Sequence, residues 1–208
     1  MKAQTKETQA KMTPDSSLEA LKNGNQRFVE QKLYNRDFIQ QVTETSTGQF
    51  PFATVLSCID SRVSSELIFD QGIGDIFSVR IAGNFVNEDI LGSMEFACKL
   101  AGTKLILVLG HTACGAVKGA CDHARLGNLT ALINKIEPAV EAVIEPQDES
   151  LRNSSNIDFV NTVAEKNVEM TIADIRSNSD VLAEMEQQGE IKIVGGMYDI
   201  STGLVHFH

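Results

Sequence analysis

Apolar runs without polar alternation recur along the chain, and segments of helical spacing separate them. Phe52 to Leu56 reads as a strand ending at Ser57-Cys58, and Leu105 to Leu109 as another ending at Gly110-His111. Continuous runs of this kind suit strands covered on both faces. Asp75 to Arg80 is a third strand candidate, Ile191 to Val194 a fourth, and Leu204 to Phe207 an edge-strand candidate. Asp89 to Leu100 has helical spacing. Ile157, Val160, Ala164, Val168, Ile172 and Ile175 recur every three or four residues and predict one long helix through Met185. Near the start, Pro14-Asp15-Ser16-Ser17 supplies capping residues ahead of Leu18, Leu21, Phe28 and Val29, so an amphipathic helix should follow a loose polar arm over residues 1–15.

Strands separated by helices imply an α/β fold. Its central sheet should be mainly parallel, with about four strands plus the edge strand, flanked by helices and preceded by an N-terminal helical arm. Neither an internal repeat nor a low-complexity linker divides the chain, and Glu145 to Ser150 reads as an exposed loop. A single domain over residues 1–208 is therefore expected.

Charge and composition narrow the function. The formal net charge of −10, with Lys and Arg scattered, repels phosphate backbones and argues against nucleic-acid binding. The first residues lack the apolar core of a secretory signal, and the Leu105 to Leu109 run is far short of the ~20 apolar residues of a spanning helix. A cytoplasmic protein without membrane attachment is expected. Cys58, Cys98, Cys114 and Cys121 are too sparse for a disulfide framework, so reduced thiols follow.

Two of the strands end in residues that bind borderline metals: Cys58 after the first, His111-Thr112-Ala113-Cys114 after the second. Ligand sites in open parallel sheets gather at the carboxyl ends of strands, so both groups can face one crevice. Two thiolates and an imidazole suit Zn²⁺, and three protein ligands leave the fourth tetrahedral position for chemistry. A lone His-x-x-Cys is short and common, and the same residues serve equally as small core hydrophobes and a turn histidine. Asp60-Ser61-Arg62, just after Cys58, adds weight. A carboxylate there could ligate the metal or accept a proton from its water, and the arginine could hold it aside.

Cys58-Ile59-Asp60-Ser61-Arg62 together with His111-Thr112-Ala113-Cys114-Gly115 resembles the paired signature of the β-class carbonic anhydrases. The similarity extends to Gly24-Asn25-Gln26-Arg27-Phe28, to Gly74 through Arg80 with Ala82-Gly83-Asn84, and to Gly195 through Asp199, so it spans almost the whole chain after the arm. The resemblance implies reversible hydration of carbon dioxide to bicarbonate and a proton, by attack of hydroxide held on one Zn²⁺ per chain. It assigns Cys58, His111 and Cys114 to the metal and Asp60 with Arg62 to a gatekeeping dyad. Gln49 matches the substrate-binding glutamine of the plant-like, openly accessible subtype; Phe77, Ala82 and Phe96 match apolar pocket positions, and Gly115 a backbone contact. A homodimer embraced by its N-terminal helices is implied, with tetramer formation as a further step.

Some positions depart from the family pattern. Phe96 replaces a tyrosine common in plant-like members, and Leu100 a histidine linked to proton shuttling, which leaves the proton's exit route unassigned. Val55 replaces the tryptophan of the subtype inhibited by bicarbonate, and the chain has no Trp. Three alternatives compete. A related hydrolase could act on another heterocumulene such as carbon disulfide. Against a non-catalytic zinc-binding regulator stands the intact Asp60 and Arg62 pair; against a thiol redox protein, the lack of any Cys-x-x-Cys.

Overall fold

The computed structural model describes residues 2–208. Its sheet contains β1 (Ala53–Ser57), β2 (Ile76–Arg80), β3 (Leu105–His111), β4 (Lys192–Tyr198) and β5 (Val205–Phe207), in the spatial order β2-β1-β3-β4-β5. The first four strands pair in parallel and β5 closes the far edge antiparallel, as the α/β expectation required. Every residue of β1 and β3 is buried, which is why both read as unbroken apolar runs. On β3 the faces still alternate: Ile106 and Val108 enter one core, Leu105, Leu107 and Leu109 the other.

Ten helices surround the sheet: α1 (Lys6–Gln9), α2 (Pro14–Val29), α3 (Phe38–Thr45), α4 (Ser65–Ile68), α5 (Glu88–Glu95), α6 (Gly115–Cys121), α7 (Gly127–Ile133), α8 (Glu137–Ala142), α9 (Ile157–Asn178) and α10 (Asp180–Gln187), counted among the described residues. One core joins the sheet to α5, α6, α8, α9 and α10, and the other joins it to α2 and α4. Both cores share the sheet. Truncating a side chain as buried as Leu107 should cost roughly 2–5 kcal/mol, because the cavity left behind closes only in part.

Two local expectations are corrected, and a third is borne out with a change of helix type. The N-terminal arm is docked: Thr5 caps α1, Ala3 is buried, and Gln9 Nε2 donates to the carbonyls of Pro51 (2.7 Å) and Ala101 (2.8 Å). No periodic signal announces contacts of this kind. The long helix breaks at Ser179, where the backbone turns extended and the side-chain hydroxyl caps α10, its Oγ accepting from Leu182 N–H at 3.2 Å while its O–H donates to Glu95 at 2.6 Å. The helix after Asp89 ends its α-helical part at Glu95 and continues as a π turn over Phe96–Leu100. Of the apolar residues of α2, Leu21 is wholly buried in its own chain's core and Leu18 packs against that core, so neither requires a partner subunit, whereas Val29 is exposed.

Candidate metal centre

Parallel pairing brings the two predicted groups together. Ser57 of β1 lies opposite Leu109 of β3, so the chain leaving β1 at Cys58 runs beside the last residues of β3, Gly110 and His111. Cys58, His111 and Cys114 are all buried, and their donor atoms lie within 4.8 Å of one another. The two sulfurs are 3.9 Å apart.

His111 shows how the set is prepared. Its Nδ1 lies 3.0 Å from the Thr112 carbonyl, which can only accept, so Nδ1 carries the proton and Nε2 keeps a lone pair. That Nε2 is buried without a hydrogen-bond partner. An orphaned acceptor in the interior costs free energy unless something meets it, and two thiols at its side complete a borderline-soft donor set. These residues therefore fit a zinc ion. The Cys114 S–H donating to Cys58 holds the Cys58 thiol well below its ordinary value, and the Gly83 N–H adds to the effect. Cys114 is displaced upward, first by that same contact and then by burial. Metal binding by two such thiols would displace their protons.

The turn after β3 is strained between His111 and Cys114. Ala113, between them, has φ +54, a left-handed conformation that costs an ordinary L-residue roughly 1–2 kcal/mol. Cys114 then caps α6, and the Ala116 and Val117 amides favour its thiolate. On the other side, Gly83 has φ +79, and a Cβ there would sit 2.3 Å from Ile136 Cδ1, so only glycine lets this backbone approach Cys58.

Asp60 stands beside the set, its Oδ2 3.9 Å from His111 Nε2. Arg62 grips the carboxylate with two parallel bonds, Nε to Oδ1 at 2.9 Å and Nη2 to Oδ2 at 2.7 Å, and its backbone N–H adds a third at 3.0 Å. The Arg62 hydrogen bonds hold Asp60 well below the usual carboxylate range. Arg80, from the end of β2, donates to the Cys58 carbonyl (3.1 Å) and the Asp60 carbonyl (2.7 Å), which ties the ligand loop to the sheet edge.

The predicted pocket residues are spread more widely. Gly115 directly follows the last ligand, and half-buried Ala82 precedes Gly83. Phe77 and Phe96 meet edge to face, ring centres 6.3 Å apart, in a groove between β2 and α5, and Phe96 is half exposed. Gln49 is exposed and precedes the amino end of β1, whereas Cys58 follows its carboxyl end. At ~3.3 Å per residue the strand between them is roughly 17 Å long. The fold thus unites Cys58, Asp60, Arg62, His111 and Cys114 and leaves Gln49 at the other end of β1. Sequence reasoning gave no role to Arg80 and Gly83, although both lie in stretches that carried the resemblance, and it passed over Asn161 and Asn167. Asn161 accepts from Ala113 N–H at 2.8 Å and Asn167 donates to Gly83 O at 2.8 Å; two amides on a helix carry no motif that could have marked them.

Comparison with known proteins points one way. Residues 53–205 match the family model described as carbonic anhydrase. Carbonic anhydrase 2 of Mycobacterium tuberculosis is 33% identical over 196 residues, covering 91% of this chain and 90% of the relative. Among solved structures, a β-carbonic anhydrase of Aspergillus fumigatus superposes with a TM-score of 0.73 at 23% identity, covering 93% of this chain and 89% of that one. One from work on tetrameric β-carbonic anhydrases of Sordaria macrospora gives 0.68 at 23% identity, covering 79% and 84%. At these identities the structures speak for the fold alone.

Proposed function

Because this chain belongs to the β-class carbonic anhydrase family and is a carbonic anhydrase enzyme, we propose that it interconverts carbon dioxide and bicarbonate at one zinc ion held by Cys58, His111 and Cys114. The observation that carries the proposal is the buried Cys-His-Cys set whose histidine Nε2 has no hydrogen-bond partner. Zinc supplies the Lewis acidity that makes water a usable nucleophile near neutral pH.

The chain's own residues do the rest. The Thr112 carbonyl keeps the proton on His111 Nδ1, so Nε2 remains a donor to the metal. Arg62 keeps Asp60 ionised and its carboxylate turned toward the ligand set. Asp60 accepts a hydrogen from the attacking water and so aims an oxygen lone pair at carbon dioxide. Ala82 and the Gly115 backbone border the reacting centre, and apolar walls suit an uncharged substrate. The proton released in hydration leaves to solvent or buffer.

Gln49, Phe77 and Phe96 bind substrate in this reading, and the opposite placement of Gln49 along β1 favours its delivery across a contact between two copies. A homodimer follows, able to pair further into a tetramer. We also assign the chain to one domain, since both cores share the sheet. No helix among the described residues is long and apolar enough to cross a membrane.

Zinc analysis with X-ray absorption, joined to a stopped-flow carbon dioxide hydration assay, tests the proposal. About one zinc per chain with two sulfurs and one imidazole nitrogen, plus hydration activity lost on metal removal, is the expected result. Four protein sulfurs around the metal, or hydration no faster than buffer by zinc-loaded protein, would overturn it.

A further inference from the structure

Both halves of the ligand set are tied to a single helix. α9 packs on β3 and β4 and carries two asparagines whose side chains bond to the loops at the site. Asn161 Oδ1 accepts the Ala113 N–H at 2.8 Å, and Ala113 is the left-handed residue between His111 and Cys114. Asn167, buried at 3% exposure, donates from Nδ2 to the Gly83 carbonyl at 2.8 Å, and the Gly83 N–H in turn faces Cys58 Sγ at 3.4 Å. Helix propensity explains neither residue, since asparagine is a middling helix former and a buried amide is costly without partners.

We propose that Asn161 and Asn167 are positioning residues that set the spacing and orientation of the two halves of the metal-binding set; the inference rests on the zinc reading above. Helical rise of ~1.5 Å per residue separates the two positions by roughly 9 Å along a rigid rod. Asn161 holds Ala113 in a conformation it would otherwise leave, and so fixes the angle at which the turn offers His111 and Cys114. Asn167 fixes Gly83, and through its N–H the lone pairs of Cys58. A set arranged before the ion arrives does not lose affinity to rearrangement on binding.

The test uses Asn161→Ala, Ala113→Gly, the two combined, and Asn167→Ala, each stripped of metal and titrated with Zn²⁺ against a chromophoric chelator. Co²⁺ loading then reads ligand geometry from the thiolate charge-transfer and d–d bands, and amide exchange of the metal-free proteins reads the turn without any metal. Wild-type protein is the control: its failure to bind one zinc would defeat the zinc reading itself, whatever the asparagines do. Given that control, Asn161→Ala should weaken zinc by about 10–100-fold, the usual loss when a group behind a ligand is removed, alter the Co²⁺ bands and unprotect the Ala113 amide.

Adding Ala113→Gly should restore zinc affinity to within about threefold, because glycine takes a positive φ without steric cost. Asn167→Ala should weaken zinc about 10-fold, and Ala113→Gly should not rescue it, because it acts on the other half of the set. Asn161→Ala with zinc affinity within about twofold of wild type would overturn the inference, as would a loss that Ala113→Gly leaves unchanged. If Asn161→Ala does not fold, the combined variant decides: folded and tightly zinc-binding supports the role, and unfolded as well overturns it.

Discussion

Two buried polar clusters in this protein are closed in opposite ways. Under α2, Asp70 is met on one carboxylate oxygen by Arg27 Nε at 2.5 Å and on the other by Arg36, and its side chain is only 2% exposed. Tyr34 adds its backbone N–H at 3.3 Å and lays its ring against the Arg27 guanidinium at 4.1 Å. Here charge meets charge. At the carboxyl ends of β1 and β3, Cys58, His111 and Cys114 are equally buried, yet they converge on a shared point with an Nε2 that no protein group satisfies. Burial alone therefore does not mark a site. A polar cluster whose charges are paired with one another supports the fold, and one whose donors converge unmet is suited to a ligand.

Substitutions should separate the two clusters by what is lost. The largest effect is expected for Cys114→Ser, which removes a thiolate from the converging set. Zinc affinity should fall more than about 100-fold, beyond the loss typical of groups behind the ligands, and hydration should vanish with the metal. Melting of the metal-free protein should barely change. Equilibrium dialysis with calorimetry would check both, and a variant that still holds stoichiometric zinc would erase the contrast.

Asp60→Asn sharpens the site side of the comparison, because Asp60 touches the set without belonging to it. Zinc should stay, while hydration at neutral pH drops by about 10²–10⁴-fold, the range of a lost proton acceptor. An amide can donate where the carboxylate accepts, and so misorients the attacking water. Stopped-flow rates at equal zinc occupancy would show it. Undiminished rates would reduce Asp60 and Arg62 to a surface ion pair.

Asp70→Asn tests the charge-paired cluster. Removing one partner from a buried pair leaves an uncompensated charge, so stability should fall by about 3–5 kcal/mol. Zinc stoichiometry and hydration per folded molecule should be unchanged. Urea unfolding beside zinc analysis would show whether damage stays on the structural side; a selective loss of zinc would break the division.

The smallest effect concerns a half-buried ion pair, less enclosed than the Asp70 cluster. Burial raises the Glu186 carboxyl, but the Arg176 guanidinium and the Ile193 N–H outweigh it and leave Glu186 below its ordinary value. A lowered acid contributes stability above its unfolded pKa and loses it as pH falls through the folded one. With Arg176 about half exposed, Glu186→Gln should cost less than about 1 kcal/mol at pH 7. The difference from the parent should begin to shrink below the ordinary glutamate value of about 4.3 and close as pH falls past the lowered folded-state value, where both forms are neutral. Denaturant titrations at pH 7 and pH 3 would measure it, and a gap that widens in acid would contradict the sign.

The predicted strands survive in the structure because continuous burial leaves a local, periodic trace, and β1 and β3 carry it in full. Cys58, His111 and Cys114 were legible for a related reason: each sits at or just past a strand end, where residue type and position together name a chemistry. Ser179 shows where that legibility stops. A serine inside a helical spacing is unremarkable until Glu95, far away in the chain, accepts its hydroxyl and a second helix starts from it. The docked arm depends likewise on carbonyls of Pro51 and Ala101 that Gln9 reaches only after folding.

Local pattern by itself determined the parallel α/β sheet and the polar surface and marked the candidate metal-ligating side chains, because hydrophobic period and ligand type are properties of neighbours in the chain. Tertiary structure alone decided that Asn161 and Asn167 bond to the Ala113 and Gly83 backbone, that Arg80 ties the Cys58 loop to β2, and that Gln49 lies at the far end of β1. Those relations are single hydrogen bonds or strand directions between residues distant in sequence. They have no period to read, and they exist only once packing has brought their partners within about 3 Å of each other.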